Sequence, residues 1–375
     1  MLGSSNSGVG AQTQWLRVFS WISLVVAAVF LAGCASTSGE SQKNPAKIQT
    51  LWPEPPEQPR FRYLQLLRTL ADVRPEEEDE RLERILTGRA DRTTPLYEKP
   101  NGLAARGGRI YVADPASASV VVFDVPRRRA FRFGQREPHL LQRPNAIALD
   151  EKDKVYVLDT RALKVLVFDS LGLYLSEIVL KDRMTRPVGI AASQNGERIY
   201  VVDRGSLNGD DHRVVVFSAD GKVIQELGPR GEEDGRFNIP VDAEVAGDGS
   251  LVVLDSGNFR IQIFDAEGNF IRSFGEPGVS HGQFARARGL AVDAEGNIYV
   301  SDANFNNVQV FNFDGELLLA LGRLDLTPGP GHFGLVGALA TDEKGFIYVA
   351  DQFHKKVEVY RLLSDEEGRR LLATN

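Results

Sequence analysis

Gly296-Asn297-Ile298-Tyr299-Val300-Ser301-Asp302, followed by Asn307-Val308-Gln309-Val310-Phe311 and then Asp314-Gly315, is the stretch that decides the fold. Both apolar runs are short and rich in β-branched residues, which suits strands rather than helices. Asp314-Gly315 supplies the positive-φ position of a tight antiparallel hairpin. Outward from here the same acid recurs as Asp114, Asp159, Asp203, Asp255, Asp302 and Asp351, at intervals of 45, 44, 52, 47 and 49 residues. Three places before it stand Tyr111, Tyr156, Tyr200, Val252, Tyr299 and Tyr348. Six places before it come Gly108, Asp153, Gly249, Gly296 and Gly345, with Gly196 one place out of step. Nine places after it an aromatic closes the next run (Phe123, Phe168, Phe264, Phe311, Tyr360), delayed at Phe217 by an insertion. Such a period marks repeated supersecondary units.

Within each unit, runs such as Ile110 to Ala113, Val120 to Phe123, Val155 to Leu158 and Val214 to Phe217 read as strands, and Ala219-Asp220-Gly221 and Ala266-Glu267-Gly268 as hairpins. Each unit opens on a run of small residues: Pro100-Asn101-Gly102-Leu103-Ala104, Pro144-Asn145-Ala146-Ile147-Ala148, Pro187-Val188-Gly189-Ile190-Ala191. Small side chains suit an innermost strand, where several sheets converge on one axis. The reading is an all-β, six-bladed β-propeller of four-stranded antiparallel blades over residues 98–375. The units, Pro-x-Gly-Ile-Ala, then Ile-Tyr-Val-x-Asp, a basic residue five places on, and Val-x-Val-Phe-x-x-x-Gly, resemble NHL repeats, with Gly235 to Gly275 and Gly282 to Gly322 the best matches. Ring closure must remove two sheet edges, and either Phe61 to Leu67 or Arg369 to Leu372 can supply the last strand.

Upstream, Arg17 precedes an apolar stretch from Val18 to Ala32, too short to span a bilayer as a helix, which ends Leu31-Ala32-Gly33-Cys34. This resembles a bacterial lipobox, which implies cleavage before Cys34 and lipidation of that cysteine, the only one in the chain. Several acyl chains, at about 0.8 kcal/mol per buried methylene, give stable attachment. Ala35 after the cysteine, rather than aspartate, implies the outer membrane by the sorting rule of many Gram-negative bacteria. The expected organisation is a signal peptide (1–33), a Ser/Gln/Pro-rich tether (34–60), a strand with a short amphipathic helix over Pro75 to Leu86 (61–97), and the propeller (98–375).

Of the 375 residues 42% are hydrophobic and 25% charged, ordinary globular values that exclude a disordered, collagen-like or polytopic membrane protein. A net charge of −7, with no long basic run, argues against nucleic acid as the main partner. One cysteine permits neither an intramolecular disulfide nor a cysteine-based zinc site.

The six aspartates invite a catalytic or calcium reading, but a job done in every blade is framework: accepting N–H bonds from the following loop and pairing with cations such as Lys164, Arg260 and Lys356. The repeated tyrosines read as inter-blade packing with a polar tip near solvent. Function is sought where symmetry breaks, in Pro240-Val241-Asp242-Ala243-Glu244, whose two acids replace Gly102/Ala104, Ala146/Ala148, Gly189/Ala191, Gly289/Ala291 and Gly337/Leu339. On one strand face near the axis they can bind Ca²⁺ or Mg²⁺, act as a base, or simply pair with Arg286 or Arg288. Asn101, Asn145 and Arg288 stand where they can line a channel mouth. The five histidines form no ligand motif, and no nucleophile elbow or phosphate-binding loop is present. The sequence therefore points to a lipid-anchored binding or scaffold module for a protein, peptide or glycan. The alternative is a divalent-metal-dependent lactonase, hydrolase or lyase with its site in the channel.

Overall fold

The computed structural model describes residues 50–374, apart from 76, 78–79, 82–85 and 88–91. The expected signal peptide, Cys34 and most of the expected tether and of the expected Pro75 to Leu86 helix lie outside the described residues. The remainder is an all-β, six-bladed propeller. Blades one to five are four-stranded antiparallel meanders, each running outward from an inner strand: Gly102–Arg106, Pro144–Leu149, Pro187–Ala192, Pro240–Val245 and Ala287–Val292. Blade six starts at Val336–Thr341, continues through Phe346–Asp351 and Lys356–Leu362, and takes its fourth strand from Phe61–Leu67. The N-terminal segment therefore closes the ring, and Arg369 to Leu372 lie in the helix Asp365–Thr374. The tether also ends sooner than residue 60: Leu51–Trp52 pairs with Phe61 and Arg62 as a fifth strand, because Leu51 is buried and Trp52 packs on Tyr360.

Six hydrophobic clusters fill the six gaps between neighbouring blades. Strand periodicity makes this possible, since successive side chains point to opposite faces of a blade. In blade one, Val120 and Val122 enter the core shared with blade two, while Val121 and Phe123 enter the core shared with blade six. At two glycines the inner strands come too close for a side chain: a methyl on Gly102 would lie 2.9 Å from the Ala146 Cα, and one on Gly189 2.9 Å from the Val241 carbonyl oxygen.

Each repeated aspartate is fully buried and grips the loop that enters its own inner strand. Asp302 accepts the N–H groups of Ala285 (2.8 Å), Arg286 (2.9 Å) and Asn304 (2.8 Å). Asp114, Asp159 and Asp203 likewise hold the N–H groups of Lys99, Arg143 and Arg186. The cation pairing is narrower than the sequence implies. Arg260 reaches Asp255 at 3.0 Å, but Lys164 pairs with Glu177 and Lys356 with Glu358. Nor do the tyrosine tips reach solvent: Tyr156, Tyr299 and Tyr348 donate to Asp150, Asp293 and Asp342, a second repeated set of buried acids at the turn after the inner strand. Asp302→Ala leaves three N–H groups without their anionic acceptor. It should lower stability by about 3 kcal/mol, a Tm loss on the order of 5 °C, and an unchanged melting curve would contradict the gripping role.

Candidate functional site

The six inner strands run side by side from one mouth of an axial channel to the other, and the first mouth opens on a cavity of about 420 Å³. Around it stand Asn101 and Asn145, with Val188, Val241, Arg288 and Gly337 at the matching place of the other strands. The amides are stitched together: Gln352 Nε2 donates to Asn101 Oδ1 (2.8 Å), Asn101 Nδ2 to the Asn145 carbonyl (2.8 Å), and Asn145 Nδ2 to the Val188 carbonyl (2.8 Å). Blade five is tied to blade six by Ser301 Oγ donating to the Gly337 carbonyl at 2.6 Å. These bonds satisfy inner-strand edges that the propeller cannot pair as a continuous sheet.

Asp242 and Glu244 face the cavity from blade four. The register of blade six corrects one alignment: Val336 pairs with Asp351 as Pro240 pairs with Asp255, so the counterparts of the two acids are Ala338 and Ala340, not Gly337 and Leu339. Asp242 Oδ2 accepts the Leu290 N–H at 3.0 Å and Oδ1 the Ala243 N–H at 3.1 Å, which joins blades four and five. Among the described residues neither Arg286 nor Arg288 forms an ion pair with these acids, which leaves each carboxyl, half-buried in the channel wall, without a counter-charge in contact. Burial pushes Asp242 up to about 7. Burial, and then the nearby Asp242, push Glu244 up to about 8. Two carboxyls that change charge near neutrality can act as acid or base, or as neutral hydrogen-bond donors. Among the described residues no group of three His, Cys, Asp or Glu gathers here, so a cation bound by these two acids would need further oxygens from amides, backbone carbonyls or water.

The cations are the part of the site that the reading of symmetry breaks largely missed. Lys99, Arg143, Arg204, Arg286 and Arg288 all line this cavity, and among the described residues none has a side-chain hydrogen bond or ion pair. Lys99, Arg143 and Arg286 occupy the place just before an inner strand whose N–H a buried aspartate holds. A basic residue recurring at that place, also as Arg186, was the available signal. Burial and Arg286 pull Arg288 below its ordinary pKa, and burial and Arg186 do the same to Arg204. The second mouth has the opposite character. A smaller cavity of about 210 Å³ there is lined by Asp150, Glu151, Asp293, Asp342 and Glu343, with Arg106 the one basic residue; Glu244 borders both cavities. Several of these acids are already used: Asp150, Asp293 and Asp342 hold tyrosines, and Glu343 accepts the Gly107 N–H at 3.1 Å.

Residues 243–374 match a family described as a 6-bladed beta-propeller. A search of the curated proteins finds no match. Among solved structures the chain is similar to a streptogramin B lyase (15% identity, TM-score 0.52, covering 71% of this chain and 94% of that one). It is also similar to a Bacteroides thetaiotaomicron protein of unknown function (17%, 0.57, covering 73% and 72%) and to a Kuenenia stuttgartiensis hydrazine synthase (17%, 0.50, covering 76% and 82%). At these identities the likeness establishes the fold, not the activity.

Proposed function

We propose that this is a lipid-anchored, NHL-type propeller of a bacterial envelope that binds a protein, peptide or glycan partner at the first mouth of its axial channel. The carrying observation is the cavity ringed by five cations that have no side-chain partner among the described residues, and by a stitched row of amides. Charged groups held apart by the fold, without internal partners, are available to a ligand at little reorganisation cost. The anchor follows from the Leu31-Ala32-Gly33-Cys34 signature, and the short apolar stretch before it fits an export signal. Among the described residues no helix is long and apolar enough to cross a membrane.

A second reading, an enzyme of the lactonase, hydrolase or lyase kind, draws support from the two near-neutral carboxyls in the cavity and from the lyase among the similar structures. Against it, no histidine among the described residues lines the cavity, whereas a similar virginiamycin B lyase of Staphylococcus aureus has an H-to-A variant described as catalytically inactive. The two readings separate on the intact lipoprotein in cells, with a photo-crosslinking amino acid in place of Val241 at the first mouth or Glu343 at the second. The binding reading expects adducts to one partner from the first mouth, lost from the membrane fraction with Cys34→Ser. Adducts from the second mouth alone, or turnover of lactones or esters abolished by Glu244→Gln, would replace it.

A further inference from the structure

We infer that the first mouth is an oxyanion site, built to take a multiply charged carboxylate or phosphoryl group at the end of a ligand. The inference deepens the binding reading and rests on it. Four observations converge. Five cations from blades one, two, three and five (Lys99, Arg143, Arg204, Arg286 and Arg288) share one cavity, so a ligand on the axis can meet several at once. Among the described residues none has a side-chain hydrogen bond or ion pair, including with Asp242 and Glu244, which share the cavity. In a chain that carries −7 overall, a concentration of unpaired positive charge is not a by-product of composition.

The third observation is how the cations are held. The N–H groups of Lys99, Arg143 and Arg286 are bound by buried aspartates, so the backbone beneath each charge is fixed even where the side chain is exposed. Arg286 and Arg288, which share the cavity, repel each other, and a bound anion between them would relieve that repulsion. Guanidinium groups bind carboxylate and phosphate oxygens in a bidentate fork, which makes arginine, four of the five here, the fitting residue. The fourth is the opposite mouth, whose acids would repel the same ligand and so give the channel one entrance for it. Below the cations, the Asn101 and Asn145 amides and the Asp242 and Glu244 carboxyls offer polar contacts to an uncharged part of the ligand.

The test is calorimetric titration of the full chain in detergent at low salt with three probes: pyrophosphate, citrate, and glucose as the uncharged control. The expected result is saturable one-site binding of pyrophosphate or citrate, none of glucose, and marked weakening as salt is raised. The tighter of the two anions identifies the group as phosphoryl or carboxylate. Arg143→Ala/Arg204→Ala/Arg288→Ala should weaken binding at least about ten-fold, the loss of one charge-assisted contact or more, while Arg106→Ala at the second mouth should leave it unchanged. Should the triple variant melt early, Arg143→Ala alone repeats the test at an exposed position. Absence of binding by either anion, or equal binding by the variants, overturns the inference. If crosslinks from position 241 persist in that case, the partner-binding reading survives without an anion site; anion binding without crosslinks separates the two the other way.

Discussion

Asp242→Asn/Glu244→Gln is expected to be more stable than the wild-type chain at pH 9, by a margin that shrinks and disappears as the pH falls towards 4. In the unfolded chain these groups lose their protons near their ordinary values of 3.8 and 4.5, whereas in the folded chain burial holds them to about 7 and about 8. Between those limits the folded state binds more protons than the unfolded one, so stability falls as pH rises. The contribution is fully present below pH 4, is lost progressively up to pH 8, and changes no further above it. A displacement of about three pH units corresponds to about 4 kcal/mol for one isolated group. Partial exposure of both carboxyls to the channel and the cations at its mouth offset part of this, leaving on the order of 3 kcal/mol for the pair. The side-chain amide oxygen that Asp242→Asn introduces can still accept the Leu290 N–H, so the link between blades four and five is retained. Melting curves of the wild type and the double variant from pH 4 to pH 9 read this directly. Parallel curves would contradict the desolvation account. A wild type that gains on the variant at high pH would mean that Arg286 or Arg288 neutralises the carboxylates in solution.

The framework was legible because every blade must repeat it. An aspartate that grips the loop entering the inner strand, a glycine at the hairpin and small residues at the axis are local needs, met six times with nearly the same residues. Gly268 and Gly315 do take the positive φ that the hairpins require. What was not legible depends on neighbours far apart in sequence. That Arg143 and Arg288 share one cavity, and that neither meets an acid, follows from blade geometry and not from spacing. The same holds for Gln262 and Gln309, which sit mid-strand in an apolar pattern but hold the N–H groups of Gly235 and Gly282. The one-place shift in blade six arose because Val336 replaces the proline that marks the entry of the inner strand in four of the other units (Pro100, Pro144, Pro187, Pro240), which left the run of small residues without a marker. Ring closure was undecided because both segments carry short apolar runs. Asp365, Glu366 and Glu367 in the first turn suit the N-terminus of a helix and take Arg369 to Leu372 out of contention.

Phe61→Ala/Leu67→Ala is expected to remove most of the stability of the propeller, because the two ends of one strand enter two different inter-blade cores. Phe61 is 1% exposed, meets Tyr299 edge to face at 6.3 Å, and belongs to the cluster between blades five and six. Leu67 is 0% exposed and belongs to the cluster between blades six and one, with Tyr97, Val112 and Val357. Truncating a buried phenylalanine costs about 3–5 kcal/mol and a buried leucine about 2–5 kcal/mol. Opposite ends of a seven-residue strand are far enough apart for the losses to add. The sum, about 5–10 kcal/mol, is comparable to the whole stability of a typical domain. Urea denaturation should show the double variant largely unfolded at concentrations the wild type withstands, and Gln65→Pro, which breaks the pairing with Val359, should act in the same direction without emptying a core. Wild-type midpoints in both would mean that the ring does not depend on this strand. The functional consequence is separable from unfolding. Lys99 and Arg288 stand on the two blades that flank blade six, so a ring loosened at that blade changes their separation while blades two to four remain packed. Anion affinity in Phe61→Ala should therefore fall under conditions where circular dichroism still reports a folded chain.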